Sequence, residues 1–305
     1  MSVTVRVPAK VNVQLAVGAV RPDGFHDLAN VFLAVGLYDE VTVTPADELR
    51  VTCEGPDAGQ VPLDRTNLAA RAAIALAERR GIEPAVHVHI AKDIPVAGGM
   101  AGGSADGAGA LLACDALWGT GASREELLDI CAELGSDVPF SLVGGAALGT
   151  GRGEKLRALE VGGGFFWVFA MAERGLSTPA VFREFDRLTE GLDVPEPVAS
   201  EELLDALATG DPDALAAAVS NDLQPAALSL FPELADTLAV GSAAGALAGL
   251  VSGSGPTTAF LARDAESAAK VADALRASGT CRSVRPTSGP APGATVISGI
   301  SGISG

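Results

Sequence analysis

Positive charge is what this chain most lacks. Its 305 residues carry 21 Lys and Arg against 38 Asp and Glu, a formal net charge of −17. That balance repels nucleic acid and anionic membrane surfaces, so neither is an expected partner, and an anionic small molecule would need a locally basic pocket. Cysteine is scarce as well. Cys53, Cys114, Cys131 and Cys281 are far apart, show no C-x-x-C spacing and mostly sit in apolar runs. This argues against a disulfide framework and reads as reduced core thiols of a cytoplasmic protein. No apolar signal core is expected at the N-terminus, where Arg6 and Lys10 fall within an alternating pattern. The uncharged stretch from Thr237 to Ala262 is broken by glycines, serines and Pro256, so it reads as helix, strand, loop, strand rather than a membrane span. What is present is 48% hydrophobic residues in regular patterns, enough for two domains or one large one.

The densest chemical signal is PVAGGMAGGSAD, Pro95 to Asp106. Before it, Val86, Val88 and Ile90 alternate with His87 and His89 as in a half-buried strand. After it, AGALLACDALW is long enough for a buried helix, with Ser104 placed to cap it. Strand, glycine loop and helix start make a phosphate site, because Gly98, Gly99, Gly102 and Gly103 let N–H groups approach a ligand at the positive helix end. The plainer reading is a turn whose small residues allow close packing. It is not a Walker A loop, since Ser104 and Ala105 follow the last glycine where Lys would stand. The dinucleotide pattern G-x-G-x-x-G is also missing, which removes the dinucleotide-dependent enzymes.

Other stretches allow two readings each. Odd positions from Val3 to Val17 are Val or Leu except Ala9, giving a strand or hairpin whose second face carries Thr4, Arg6, Lys10, Asn12 and Gln14; a solvated face explains these polar residues most simply. A turn at Pro22-Asp23-Gly24 precedes Phe25 and His26. Asn67 opens the helix LAARAAIALAERR, closed by Gly81. Asp137, two residues before Pro139, is an ordinary helix cap by its spacing. Arg152 and Lys155 sit in a tight glycine turn and could reach phosphate. Phe182 and Phe185 share a helix face, the pattern of core residues. Residues 187–200 form a polar connection, helical patterns follow at 201–208, 211–219 and 231–240, and Gly253-Ser254-Gly255 reads as a hairpin turn. The repeated Ile-Ser-Gly end suggests a mobile tail over residues 289–305.

P-x-x-x-G-M-A-G-G-S-A-D resembles the second motif of the GHMP kinases, the superfamily of galactokinase, homoserine kinase and mevalonate kinase. PAKVNVQL is similar to the first motif and GSGPT to the third, in the same order. The segments DGFH, LGSDVPF and STPAVF look like the members that act on a cytidine diphosphate conjugate of methylerythritol in isoprenoid precursor synthesis. The resemblance implies an α+β fold of two domains, a ribosomal protein S5 domain 2-like one over residues 1–158 and a ferredoxin-like one over 159–288, with ATP and Mg²⁺ in the cleft. It implies catalytic roles for Lys10 and Asp137. ATP would be held by Asn67 and by Pro95, Val96, Ala97, Gly98, Gly99, Met100, Ala101, Gly102, Gly103 and Ser104, with the Ser104 hydroxyl available to Mg²⁺. Substrate would be held by Asn12, Phe25, His26, Thr178, Phe182, Gly253, Ser254 and Gly255, the base stacking between Phe25 and Phe182. The expected enzyme is a cytoplasmic small-molecule kinase, monomeric or homodimeric, that phosphorylates the 2-hydroxyl. Another GHMP kinase, of homoserine or mevalonate type, and a GHMP-fold binding protein without catalysis are the alternatives; the two aromatics argue against the first and the Lys10 and Asp137 pair against the second.

Overall fold

The computed structural model describes residues 1–96 and 98–299; Ala97 and residues 300–305, two places where the sequence suggested function or a tail, lie outside them. The first half runs β1 (Val3–Val20), β2 (His26–Pro45), β3 (Arg50–Glu54), α1 (Leu68–Arg80), β4 (Val86–Ala91), α2 (Gly102–Trp118), α3 (Arg124–Leu134), α4 (Val138–Val143), β5 (Ala146–Thr150) and β6 (Lys155–Leu159). The second runs β7 (Phe165–Met171), α5 (Thr178–Leu188), α6 (Glu201–Thr209), α7 (Pro212–Ala218), β8 (Ser220–Asn221), α8 (Gln224–Leu230), α9 (Leu234–Ala243), β9 (Ala248–Val251), β10 (Thr258–Ala262), α10 (Ala265–Ser278), β11 (Ser283–Gly289) and β12 (Thr295–Ser298).

Two sheets result. The larger has the order β12-β1-β2-β4-β3, with β5 and β6 continuing from β2 and β8 added beside β1; the smaller has the order β11-β7-β10-β9 and is antiparallel throughout. Both carry helices, the α+β arrangement expected from the resemblance. One core joins them: Val5, Leu33 and Leu111 of the first half share a cluster with Trp167, Leu203 and Ala259 of the second. Burying such side chains contributes about 1.5–3 kcal/mol each. Among the described residues no helix is long and apolar enough to cross a membrane.

Three expectations change. The β1 face with Lys10, Asn12 and Gln14 is not solvated, for all three are buried; the glycine loop and Asp137 close over Lys10, and the second half of the molecule covers Asn12 and Gln14. Residues 289–299 do not form a loose tail, because β12 pairs antiparallel with β1 through Thr4, Val5 and Arg6. An edge strand with unpaired backbone groups accepted it. Ser104 does not cap α2: the cap position is Ala101, at φ 60 and ψ 30, with no side-chain bond to the helix. The glycines let the helix begin earlier and place Ser104 inside its first turn. The helix α8 was hidden in the sequence by Pro225, which stands in its first turn where proline is tolerated.

Candidate active site

A cavity of about 690 Å³ opens between the halves. One wall is the glycine loop and the first turn of α2. Since no side chain caps α2, the first N–H groups of that helix remain for a ligand, and Gly102, Gly103 and Ser104 line the cavity. Gly99 is forced to be glycine: its φ is +73, and a Cβ there would stand 2.2 Å from the Ser252 carbonyl oxygen. The loop of the second half is therefore pressed against it. Gly253, at φ +57, also sits in the left-handed region and lies close to the buried polar pair, with a Cβ 2.9 Å from Asn12 Oδ1 and 3.3 Å from Lys10 Nζ. Asn221 shapes that loop by donating to the Val251 and Gly253 carbonyls, each at 2.7 Å.

At the centre stands Lys10. It and Asn12 lie two apart on β1, so they project to one face. The Lys10 ammonium donates to Asn12 Oδ1 at 2.6 Å and to the Gly99 carbonyl at 2.8 Å, and its Nζ is 3.7 Å from Asp137 Oδ2. Burial pushes the Lys10 pKa below its ordinary value, and the Asp137 charge opposes that shift. Asn12 in turn donates to Asn30 Oδ1 at 2.7 Å. Asp137 occupies the cap position of α4 yet makes no capping bond. Its carboxylate is left facing Lys10 and the cavity, so the spacing named the position correctly and the side chain's partner wrongly.

The other end is aromatic. His26 is buried, and its Nδ1 is 2.9 Å from the Gly18 carbonyl. A carbonyl only accepts, so Nδ1 carries the proton and Nε2 faces Asp186, 3.4 Å away. Phe182 stacks on the His26 ring with centroids 5.1 Å apart, and Phe185 meets the same ring edge-on at 5.8 Å. Phe185 is core; Phe182 lines the cavity. Phe25 is 51% exposed and lies under the Arg152 guanidinium, 5.2 Å from its ring centroid. Thr178 Oγ1 and Ser254 Oγ are 2.8 Å apart on the same wall.

Of the residues named from the sequence, Lys10, Asn12, Phe25, His26, Pro95, Gly98, Gly99, Ala101, Gly102, Gly103, Ser104, Asp137, Thr178, Phe182, Gly253 and Ser254 line this one cavity. Met100 is buried in the core behind it, and Gly255 packs beneath Gly99. Asn67 is buried as the cap of α1, accepting from Ala69 N at 2.8 Å; its neighbour Leu68 lines the cavity instead. Val96 does not line it, and its N–H donates to Asp57 at 3.3 Å. Sequence reading missed Asn30, Arg183 and Asp186. Asn30 is found only through the β1 and β2 register, while the carboxylate of Asp186 could have been sought one helical turn after Phe182.

The chain matches the GHMP kinases N terminal domain over residues 67–145 and the GHMP kinases C terminal description over residues 203–281. With a lysine and an aspartate placed beside a glycine loop, fold and cavity define a GHMP kinase. It is 83% identical to the 4-diphosphocytidyl-2-C-methyl-D-erythritol kinase of Streptomyces avermitilis, over 97% of this chain and 100% of that one. A crystal structure of 4-(cytidine 5'-diphospho)-2C-methyl-D-erythritol kinase is 33% identical, with TM-score 0.76, covering 93% of this chain and 98% of that chain. Homoserine kinase from Cytophaga hutchinsonii shares the fold, with TM-score 0.74 at 22% identity, covering 97% of each chain. The chain belongs to the 4-diphosphocytidyl-2-C-methyl-D-erythritol kinase family.

Proposed function

We propose that the cavity transfers the γ-phosphoryl group of ATP to the 2-hydroxyl of 4-diphosphocytidyl-2-C-methyl-D-erythritol, a step of isoprenoid precursor synthesis by the methylerythritol phosphate pathway. The observation that carries this reading is the placement of Lys10 Nζ 3.7 Å from Asp137 Oδ2, between a glycine loop and an aromatic recess. Phosphoryl transfer needs mostly positioning and charge neutralisation. Asp137 orients the substrate hydroxyl and accepts its proton. Lys10 places a positive charge beside that carboxylate and offsets charge developing on the transferred group. N–H groups of the glycine loop and α2 hold the triphosphate.

Mg²⁺ is proposed to enter with the nucleotide. No group of three His, Cys, Asp or Glu able to hold a metal stands among the described residues. The ion is proposed to take most of its ligands from phosphates and water, with the Ser104 hydroxyl as a protein donor. The base is proposed to stack in the recess of Phe25, His26 and Phe182, an arrangement worth about 1–3 kcal/mol per base. The test is ATP consumption by the purified protein with Mg²⁺, offered the cytidine compound, homoserine and mevalonate separately. Turnover confined to the cytidine compound is expected; turnover with either other alcohol would discard the aromatic assignment.

A further inference from the structure

The turn between β5 and β6 carries two basic residues, and the structure separates them. Lys155 opens β6, pairs in the sheet with Thr150 and is not part of the cavity wall; Arg152 is. The turn is fixed in place. The Gly151 carbonyl accepts from Leu28 N at 2.8 Å, Arg152 N donates to Glu154 Oε2 at 2.8 Å, and Gly153 N donates to the Thr150 carbonyl at 3.1 Å.

Its position spans the two ends of the cavity. On one side the Arg152 guanidinium covers Phe25 in the aromatic recess. On the other, a Cβ built on Gly153 would lie 3.7 Å from Phe32 Cζ and 4.0 Å from Ser136 Cβ, the residue before Asp137. A substrate with its base in the recess and its hydroxyl at Asp137 must pass its connecting diphosphate along this turn.

The charges point the same way. Among the described residues the Arg152 side chain makes no ion pair, whereas the neighbouring hairpin's Arg21 is held by Asp23 at 2.6 Å and Asp27 at 2.8 Å. Lys10 is already engaged by Asn12, Gly99 and Asp137. In a chain of net charge −17, an arginine without a carboxylate on a cavity wall is a free anion ligand. Arg183 is also without an ion pair there, but it follows Phe182 at the base end. The contact of an exposed guanidinium with an aromatic face is weak, so Arg152 can leave it cheaply.

We infer that Arg152 binds the diphosphate of the substrate and so sets its preference for a nucleoside diphosphate conjugate. This rests on the cytidine reading of the same cavity and deepens it. Without substrate the guanidinium covers Phe25; with it, the base takes that ring face and the guanidinium turns to the diphosphate oxygens, a geometry its planar fork suits.

The test compares cytidine with cytidine diphosphate as inhibitors of the full-length enzyme, wild type against Arg152→Ala and Arg152→Lys, alongside the KM for ATP. In the wild type the diphosphate should inhibit at lower concentration than the nucleoside. Arg152→Ala should raise its inhibition constant about 10-fold, the order expected for losing a charge-assisted hydrogen bond. Cytidine and ATP should be unaffected, and Arg152→Lys should fall between. Equal weakening of nucleoside and diphosphate would overturn the inference in favour of a packing role on Phe25, and a raised KM for ATP would reassign Arg152 to the donor phosphates. A wild type indifferent to both inhibitors would instead refute the cytidine reading, before any variant is compared.

Discussion

Asp137 and Lys10 form a pair in which each residue alters what the other can do. The lysine is buried, 4% exposed, and its folded-state pKa lies below its ordinary 10.5 because burial outweighs the nearby carboxylate. Replacing the carboxylate removes the charge that raises that pKa. Asp137→Asn should therefore lower kcat by about 100-fold or more, the range for a lost general base, while ATP still binds nearly as well. Its residual activity should also lose its alkaline limb at a lower pH than the wild type does, since Lys10 deprotonates more readily. Parallel kcat profiles and nucleotide titrations check both statements, and equal losses of turnover and ATP affinity would remove Asp137 from the proton-transfer role. Part of this pair was legible in the sequence. Lys10, Asn12 and Gln14 share a strand face by simple alternation, and Asp137 precedes a helix. What alternation could not tell was that this face is buried, because the covering is made by residues distant in the chain: Gly99 and Asp137 over Lys10, Val198 over Gln14.

At the level of elements, α2 is held to its sheet by a buried cluster behind the glycine loop. Lys92 Nζ bonds Asp39 and stands 3.1 Å from Asp106 Oδ2, while Asp39 Oδ1 accepts from the N–H groups of Asp93 and Ile94 at 2.7 and 2.8 Å. Burial and the Asp39 charge push the Asp106 pKa up to about 8 against the pull of Lys92. Two carboxylates and one ammonium are thus close to neutral when Asp106 keeps its proton. The unfolded carboxyl ionises near 3.8, so between that pH and about 8 the folded chain binds more protons, and this contribution to stability fades as pH rises. Asp106→Asn mimics the protonated form. Its melting temperature relative to the wild type should climb from pH 5 to pH 9, by about 2–4 °C for each kcal/mol relieved. A flat difference across that range would show that Asp106 is already ionised. Glycine spacing made this loop and helix readable, and the periodic α1 was readable with its cap at Asn67. The cluster beneath was not, since Asp39, Lys92 and Asp106 meet only once β2 and β4 pair and α2 packs on them. The strand β12 was hidden for a related reason: its weak local pattern is stabilised by the free edge of β1.

Across the whole molecule, the two halves are joined by returning strands and by ionic contacts, of which the pair of Asp57 and Arg282 stands close to the glycine loop. Asp57, in the connection before α1, accepts both guanidinium N–H groups of Arg282 at 2.6 Å each, and its Oδ2 also accepts from Val96 N at 3.3 Å. Val96 belongs to the glycine loop, so Arg282 of the second half steadies that loop through the Asp57 carboxylate, while the Ser252 hydroxyl holds it further on by donating to the Gly99 carbonyl at 3.2 Å. The Asp57 side chain is only 7% exposed and Arg282 32%, which makes this contact worth more than the exposed pair of Arg285 and Asp93 at 2.7 Å. Arg282→Gln should cost about 1.5 kcal/mol, the low end for hydrogen bonds to charged groups because Arg282 keeps contact with water. Arg285→Gln should change stability by about 0.5 kcal/mol or less. The Arg282 bond holds the Asp57 pKa below its ordinary 3.8, so its stabilisation is complete above that value and disappears as pH falls through the lower folded-state pKa. Denaturant unfolding of the two variants at pH 7 and near pH 3 checks the sign: the Arg282→Gln deficit should shrink in acid. Because the loop loses its support while Lys10 and Asp137 are untouched, the KM for ATP should rise with kcat largely kept. A fall in kcat at unchanged KM would mean instead that the contact governs how the halves meet around the reacting groups.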